Sequence, residues 1–217
     1  MLPLIPADRE RPVVLAIGCH SDDIEIGCGG TLLRILERYE GVEMNWAVLS
    51  AQGERRSEAE ASARAFTAGA ADLKLCLESF RDGYFPFHGA EIKDWFEELK
   101  TVVEPDIIFT HHGRDLHQDH RLVAELTWNT FRRHPILEYE VPKYDGDLGS
   151  PNVFVPLDDD LVERKLTLLR EQFATQRGKH WFDEEVFRSL LRLRGVEAAP
   201  PHRYAEAFYA RKLTLGP

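Results

Sequence analysis

The chain has 217 residues and a formal net charge of −10 at pH 7. That length suits one large domain with a substantial core, and a composition of 43% hydrophobic and 29% charged residues excludes an intrinsically disordered chain. The acidic balance argues against sequence-independent nucleic-acid binding, which needs Lys and Arg in excess, and no run approaches the ~18 apolar residues of a membrane span.

Residues 1–11 carry Asp8, Glu10 and two prolines in place of an apolar stretch, so no secretory signal is expected there. Residues 13–18 (VVLAIG) form an apolar run of the buried-strand type. Residues 26–39 follow with Leu32, Leu33, Ile35 and Leu36 among charged neighbours, a helical pattern. Residues 42–49 predict a second strand and residues 54–70 a helix stopped near Gly69. Residues 73–77 predict a third strand. Residues 91–103 form a helix with Ile92, Trp95, Phe96 and Leu99 on one face. Residues 106–110 (DIIFT) predict a fourth strand, and 122–131 a helix.

This alternation implies an α/β fold: a Rossmann-like, mostly parallel sheet with helices on both faces. Beyond it, residues 144–151 are turn-rich and 152–156 predict a strand. Residues 158–173 and 183–194 predict helices. The segment 136–217 is expected to be an edge or lid, with the whole chain, 1–217, forming one domain. Cys19, Cys28 and Cys76 are odd in number and show no CxxC spacing. They point to a reduced compartment without disulfides, and the cytoplasm is the expected location.

Ligands of open parallel sheets sit at the carboxyl ends of the strands. Two polar clusters fall there: His20-Ser21-Asp22-Asp23 after strand one, and Asp115-Leu116-His117-Gln118-Asp119-His120 after strand four. If those strands are neighbours, both clusters face one crevice, and a bound metal ion explains the crowding. Imidazole and carboxylate suit Zn2+, while two His and one carboxylate also suit Fe2+. His111 and His112 follow strand four directly, and a supporting role is expected there. His88, His134, His180 and His202 are expected at the surface. Alternation points Cys19 away from the site. Gly27, Gly29 and Gly30 fit close helix packing better than a phosphate loop. Trp181 and Phe182 fit either a sugar-stacking lid or core packing, and Glu138 to Glu140 are further candidates near the crevice.

The two clusters resemble the signatures of the LmbE-like, or PIG-L, N-acetylglucosaminyl deacetylases: H-P-D-D before a Gly-rich helix start, and D-x-H-x-D-H. Weaker matches are Arg55-Arg56-Ser57-Glu58, Phe80-Arg81-Asp82-Gly83, Arg194-Gly195 and Ala205-Glu206-Ala207-Phe208. The resemblance implies a zinc-dependent hydrolase that removes acetyl from an N-acetylated amino sugar. By that resemblance His20, Asp23 and His120 match the metal ligands and Asp22 the general base. His117 matches the imidazole that serves the oxyanion or the leaving amine. Asp119 would orient an imidazole, and Arg55 and Asp82 would touch the sugar. Ser21 stands where the family usually has proline, which bears on loop stiffness. Asp115 stands near a tyrosine of some members. An ionised carboxylate cannot serve an oxyanion as that tyrosine would, which leaves more to His117.

A metal-dependent phosphoesterase also uses His/Asp clusters, but it would call for two ions and a bridging carboxylate. A non-catalytic sugar-binding protein has no need of Asp22, Asp23, His117 and His120 together. The expected partner is therefore an acetylated sugar, not nucleic acid or membrane. Small α/β enzymes of this kind often form homo-oligomers.

Overall fold

The computed structural model describes residues 5, 9–199 and 201–213. Most of residues 1–11 therefore lie outside the described residues. The order of elements is β1 (Val13–His20), α1 (Asp23–Arg38), β2 (Glu43–Ser50), α2 (Glu54–Phe66), β3 (Asp72–Leu77), α3 (Gly89–Val102), β4 (Ile107–His111) and α4 (Gln118–Thr130). Then come β5 (Ile136–Tyr139), β6 (Val153–Leu157), α5 (Asp159–Gln172), α6 (Glu184–Glu197) and β7 (Tyr204–Tyr209). All seven strands form one sheet in the order β3-β2-β1-β4-β5-β7-β6. The first five are parallel, and β7 runs antiparallel to both β5 and β6.

The pleat of β1 explains the layering. Val14 and Ala16 face one core, with α1, α2, α5 and α6 over it. Leu15, Ile17 and Cys19 face the other, under α3 and α4. A helix sits on each face because both faces of the central strands are apolar. The glycines of α1 allow it to approach closely. A Cβ on Gly27 would overlap the Tyr139 ring, and one on Gly30 would lie 2.5 Å from Leu157.

The segment 136–217 is more than an edge. Its β5 pairs in parallel with β4, and its β6 and β7 complete the same sheet. The alternation of apolar and polar residues does not reveal β5 and β7, because each buries a glutamate at an inward position. Glu138 is satisfied there by Gly113 N–H, Trp128 Nε1 and Arg211. Glu206 accepts from Gly30 N–H and Thr31 N–H and pairs with buried Lys165 at 2.6 Å.

β1 and β4 are neighbours, and the chain departs from them in opposite directions across the sheet. That reversal opens a crevice at their carboxyl ends. Both polar clusters begin there.

Candidate active site

β1 ends at His20, and Asp23 opens α1 directly beyond it. His120 lies in the first turn of α4, and His117 is that helix's N-cap. Strand end and helix start thus bring together residues about a hundred positions apart. His20 Nδ1 lies 3.3 Å from Asp23 Oδ2 and 3.3 Å from His120 Nε2, and Asp23 Oδ2 lies 3.6 Å from His120 Nε2. A tetrahedral ion with ligand bonds of ~2.0–2.2 Å has edges of about 3.3–3.6 Å. The three atoms have the spacing of such an ion's ligands.

Carboxylates on the far sides of the rings decide which nitrogens are free. His120 Nδ1 is 3.0 Å from Asp115 Oδ2, which leaves the lone pair of Nε2 facing the triangle. His20 Nε2 lies 3.0 Å from Asp82 Oδ1 and 3.5 Å from Asp119 Oδ2, which favours a proton there and a lone pair on Nδ1. Asp119 also accepts from the N–H groups of Gly83 and Phe85 at 2.6 and 3.1 Å. It anchors the loop that carries Asp82, where Gly83 takes a φ of +80°.

Asp22 is buried beside the triangle. Its Oδ1 accepts from Arg55 Nη2 at 2.6 Å, while its buried Oδ2 has no hydrogen-bond partner among the described residues. Burial raises the Asp22 pKa, against the pull of Arg55 and with the help of Asp23. Asp23 moves the other way. Burial pushes it up, but His120, His111 and His20 hold it well below the usual carboxylate range. Adjacent carboxylates pushed apart in this way suit different tasks.

Burial also works to lower His20, yet Asp23, Asp119 and Asp82 outweigh it and raise its pKa well above the ordinary value. His120 is pushed down to about 4 by burial and by His111. His117 is half-buried and lowered by burial and by His20. Its Nδ1 accepts from Asp119 N–H at 3.3 Å, so the neutral ring carries its proton on Nε2. His117 stacks on His120 with ring centroids 4.6 Å apart.

Of the residues in the two motifs, Asp115 and Asp119 stand beside the imidazoles of His120 and His20, and His20, Asp22, Asp23, His117 and His120 line one crevice. Asp82 lines it, as do Arg55, Gln52, Lys143, Tyr144 and Trp181. Its volume of about 490 Å³ lies within the ~300–1,000 Å³ of small-molecule sites. Arg55 is already engaged, with Asp22 on one side and Glu58 at 3.1 Å on the other. Trp181 lines the crevice and Phe182 is buried in the core.

Cys19 stands differently from its sequence expectation, Asp115 gains a partner that the sequence did not assign, and His111 has the supporting place expected of it. Asp115 bonds His120 and is itself held by Lys143 at 2.9 Å. His111 is fully buried, lies 3.1 Å from Asp23 Oδ2 and stacks on His120 at 3.8 Å. It supports both side chains at once. Cys19 is buried as expected, but its Sγ sits within 4.8 Å of donor atoms of Asp23, His111 and His120, at the base of the site and not away from it. The signal for His111 was its place at a strand end next to the motifs; its partner Asp23 is far off in sequence.

Residues 15–131, more than half the chain, match the model of the PIG-L family, described as GlcNAc-PI de-N-acetylase. That stretch contains both motifs. A relative from Escherichia coli K12, the uncharacterized deacetylase YaiS, is 26% identical over an alignment of 178 positions that covers 77% of this chain and 94% of the relative. Among solved structures, the N,N'-diacetylchitobiose deacetylase of Pyrococcus horikoshii aligns with a TM-score of 0.68 at 22% identity, covering 94% of this chain and 84% of that one. The 4-carboxy-2-hydroxymuconate hydratase GalB of Pseudomonas putida KT2440 aligns with a TM-score of 0.73 at 17% identity, covering 95% and 98%. A deacetylase and a hydratase thus share this fold, and fold likeness alone does not choose between their chemistries.

Proposed function

The chain belongs to the PIG-L family, and on that premise we propose that it is a metal-dependent deacetylase that hydrolyses the acetamide of an N-acetylated amino sugar. The observation that carries this reading is the triangle of His20, Asp23 and His120 beside an Asp22 oxygen with no partner. One Zn2+ held by those three side chains, or Fe2+ in the same donor set, would supply Lewis-acid polarisation and a water acidified toward pKa ~7.

The protein's own groups then divide the remaining work. Asp22 accepts the proton of the attacking water at Oδ2 while Arg55 fixes its other oxygen. The raised pKa of Asp22 keeps it basic enough to take that proton and acidic enough to release it. The water oxygen bonds to the carbonyl carbon, the carbon–nitrogen bond breaks, and the proton held by Asp22 passes to the departing amine. His117, neutral because burial lowers its pKa, presents Nε2–H to the oxyanion. Asp115 and His111 keep the donors aimed. Asp82 and Arg55, which line the crevice, would meet sugar hydroxyls.

Acetate release from a panel of N-acetylated sugars, with and without a chelator, tests the reading. The expected result is release from at least one member, abolished by the chelator and restored by one equivalent of metal per chain. Release that survives full metal depletion overturns the metal-dependent mechanism.

A further inference from the structure

The inner face of α6 is seated closely on β7, with Phe187, Leu191, Arg194 and Gly195 buried. A Cβ on Gly195 would lie 2.1 Å from Arg203 O. The outer face carries Glu185, Ser189, Arg192, Leu193 and Val196, all exposed. At about 100° per residue these five fall in one continuous stripe. A stripe that faces solvent is ordinarily polar, but here Leu193 is 49% and Val196 61% exposed. A shallow groove runs along each flank. One is lined by Pro142, Leu148, Val186, Leu190 and Leu193, and the other by Arg188, Arg192, Val196, Arg203 and Tyr204. Leu148, 44% exposed, extends the apolar surface beyond the helix.

The stripe is self-complementary in charge. Glu185 and Arg192 lie about two turns apart on α6, with Ser189 between them. The neighbouring charges are spent: Glu184 pairs with Arg170 and Arg188, and Arg188 with Glu163. Among the described residues Glu185 and Arg192 have no ion pair. Arg192 Nη1 donates to Arg203 O at 3.1 Å, which fixes the guanidinium without neutralising it. Two such stripes can be set antiparallel with a two-fold axis beside Ser189. Glu185 of each copy then meets Arg192 of the other, twice in one interface. The small serine at the crossing lets the helices approach, and Leu193 of each copy reaches the Val186 end of the other's groove. In a parallel arrangement glutamate would face glutamate and arginine face arginine, so charge selects the antiparallel one.

We propose that the outer face of α6 is the surface through which two copies of this chain pair, antiparallel and about a two-fold axis. A net charge of −10 makes two copies repel in general, so pairing needs a local match of this kind. A second copy satisfies both charges of the stripe at once and supplies Leu193 to the groove. The contact also touches the segment that walls the crevice. Pro142 and Leu148 line the groove, and Lys143, Tyr144 and Asp145 between them line the crevice.

Sedimentation of the full chain over about 1–200 µM tests the pairing, because a contact on the scale of one helix pair is expected to associate in the micromolar range. Glu185→Arg and Arg192→Glu each set like charges opposite one another twice. Each variant alone should self-associate about tenfold or more weakly than the wild-type chain. An equimolar mixture of the two should recover wild-type association, since both pairs in the mixed dimer attract. That recovery also shows that both variants are folded. A wild-type chain that stays monomeric throughout, association unchanged in both variants, or a mixture no stronger than its components overturns the pairing. Association is read without substrate or metal, so its outcome is separate from that of the deacetylase reading.

Discussion

The floor and the rim of the crevice are built on opposite principles. On the floor, each imidazole nitrogen turned away from the donor triangle has a carboxylate beside it. Asp115 serves His120, and Asp82 and Asp119 serve His20. The side chains of Asp23, His111, Asp115 and His120 are almost wholly buried. At the rim, Tyr144 is 75% exposed and the cations Arg81 and Lys179 rest on aromatic rings alone. Losing a partner from a buried polar network is costly, whereas an exposed rim side chain costs little to change. The candidate donors are therefore held where backbone and core over-determine them, while the rim is built of side chains that tolerate change.

Removing a donor on the floor breaks this contrast most severely. His120→Ala should lose bound metal and with it acetate release, by at least the ~10²–10⁴-fold of a lost catalytic step, as elemental analysis and turnover on one sample will show. Full metal retention would remove His120 from the ligand set.

Removing a supporting carboxylate should cost less. Asp115→Asn keeps the shape but weakens the bond that aims His120, so metal affinity measured by chelator competition should fall roughly 10–100-fold. Unchanged affinity would mean that packing against His111 and His117 alone orients the ring.

Stability offers a further test, away from the donors. Gly27→Ala forces a methyl group into the Tyr139 ring, which cannot swing aside while its hydroxyl donates to Ile17 O at 2.7 Å. The expected loss is about 1–3 kcal/mol, or roughly 2–4 °C in Tm per kcal/mol for a chain of this size. Unchanged thermal unfolding would show that α1 can shift without strain.

The smallest expected effect is one of pH. In the proposed mechanism Asp22 can be the base only when deprotonated, so kcat/KM should fall as pH drops through its folded pKa. Burial raises that pKa and Arg55 opposes the rise. Arg55→Gln removes the opposing charge, so the acidic limb should move to higher pH. A limb that stays in place would assign it to another group.

The floor was legible in the sequence and much of its support was not. Two short motifs at strand ends sufficed for His20, Asp22, Asp23, His117 and His120, because strand ends in parallel sheets converge. Which carboxylate serves which imidazole was hidden. Asp115 and Asp119 both lie within five residues of His120, and only the turn before α4 sends Asp115 to His120 and Asp119 to His20 and the Gly83 loop. His111 meets Asp23 only across the β1–β4 pairing. β5 and β7 escaped because buried Glu138 and Glu206 look like solvent-facing positions until their distant partners are known. The rim was the least legible, since it is assembled from loops after β3 and α5 that share no periodicity.

The proposed mechanism has Asp22 separate catalysis from metal binding within one motif, and Asp22→Asn tests that separation most directly. Metal content and acetate release should be measured on the same preparation, using a substrate that the wild-type protein turns over. The variant should keep one metal ion per chain and lose roughly 10²-fold or more in kcat, since the amide preserves shape but cannot take the proton. Near-normal turnover with one ion bound would contradict the assignment of Asp22 as the base and, with it, the division of labour between the two adjacent carboxylates.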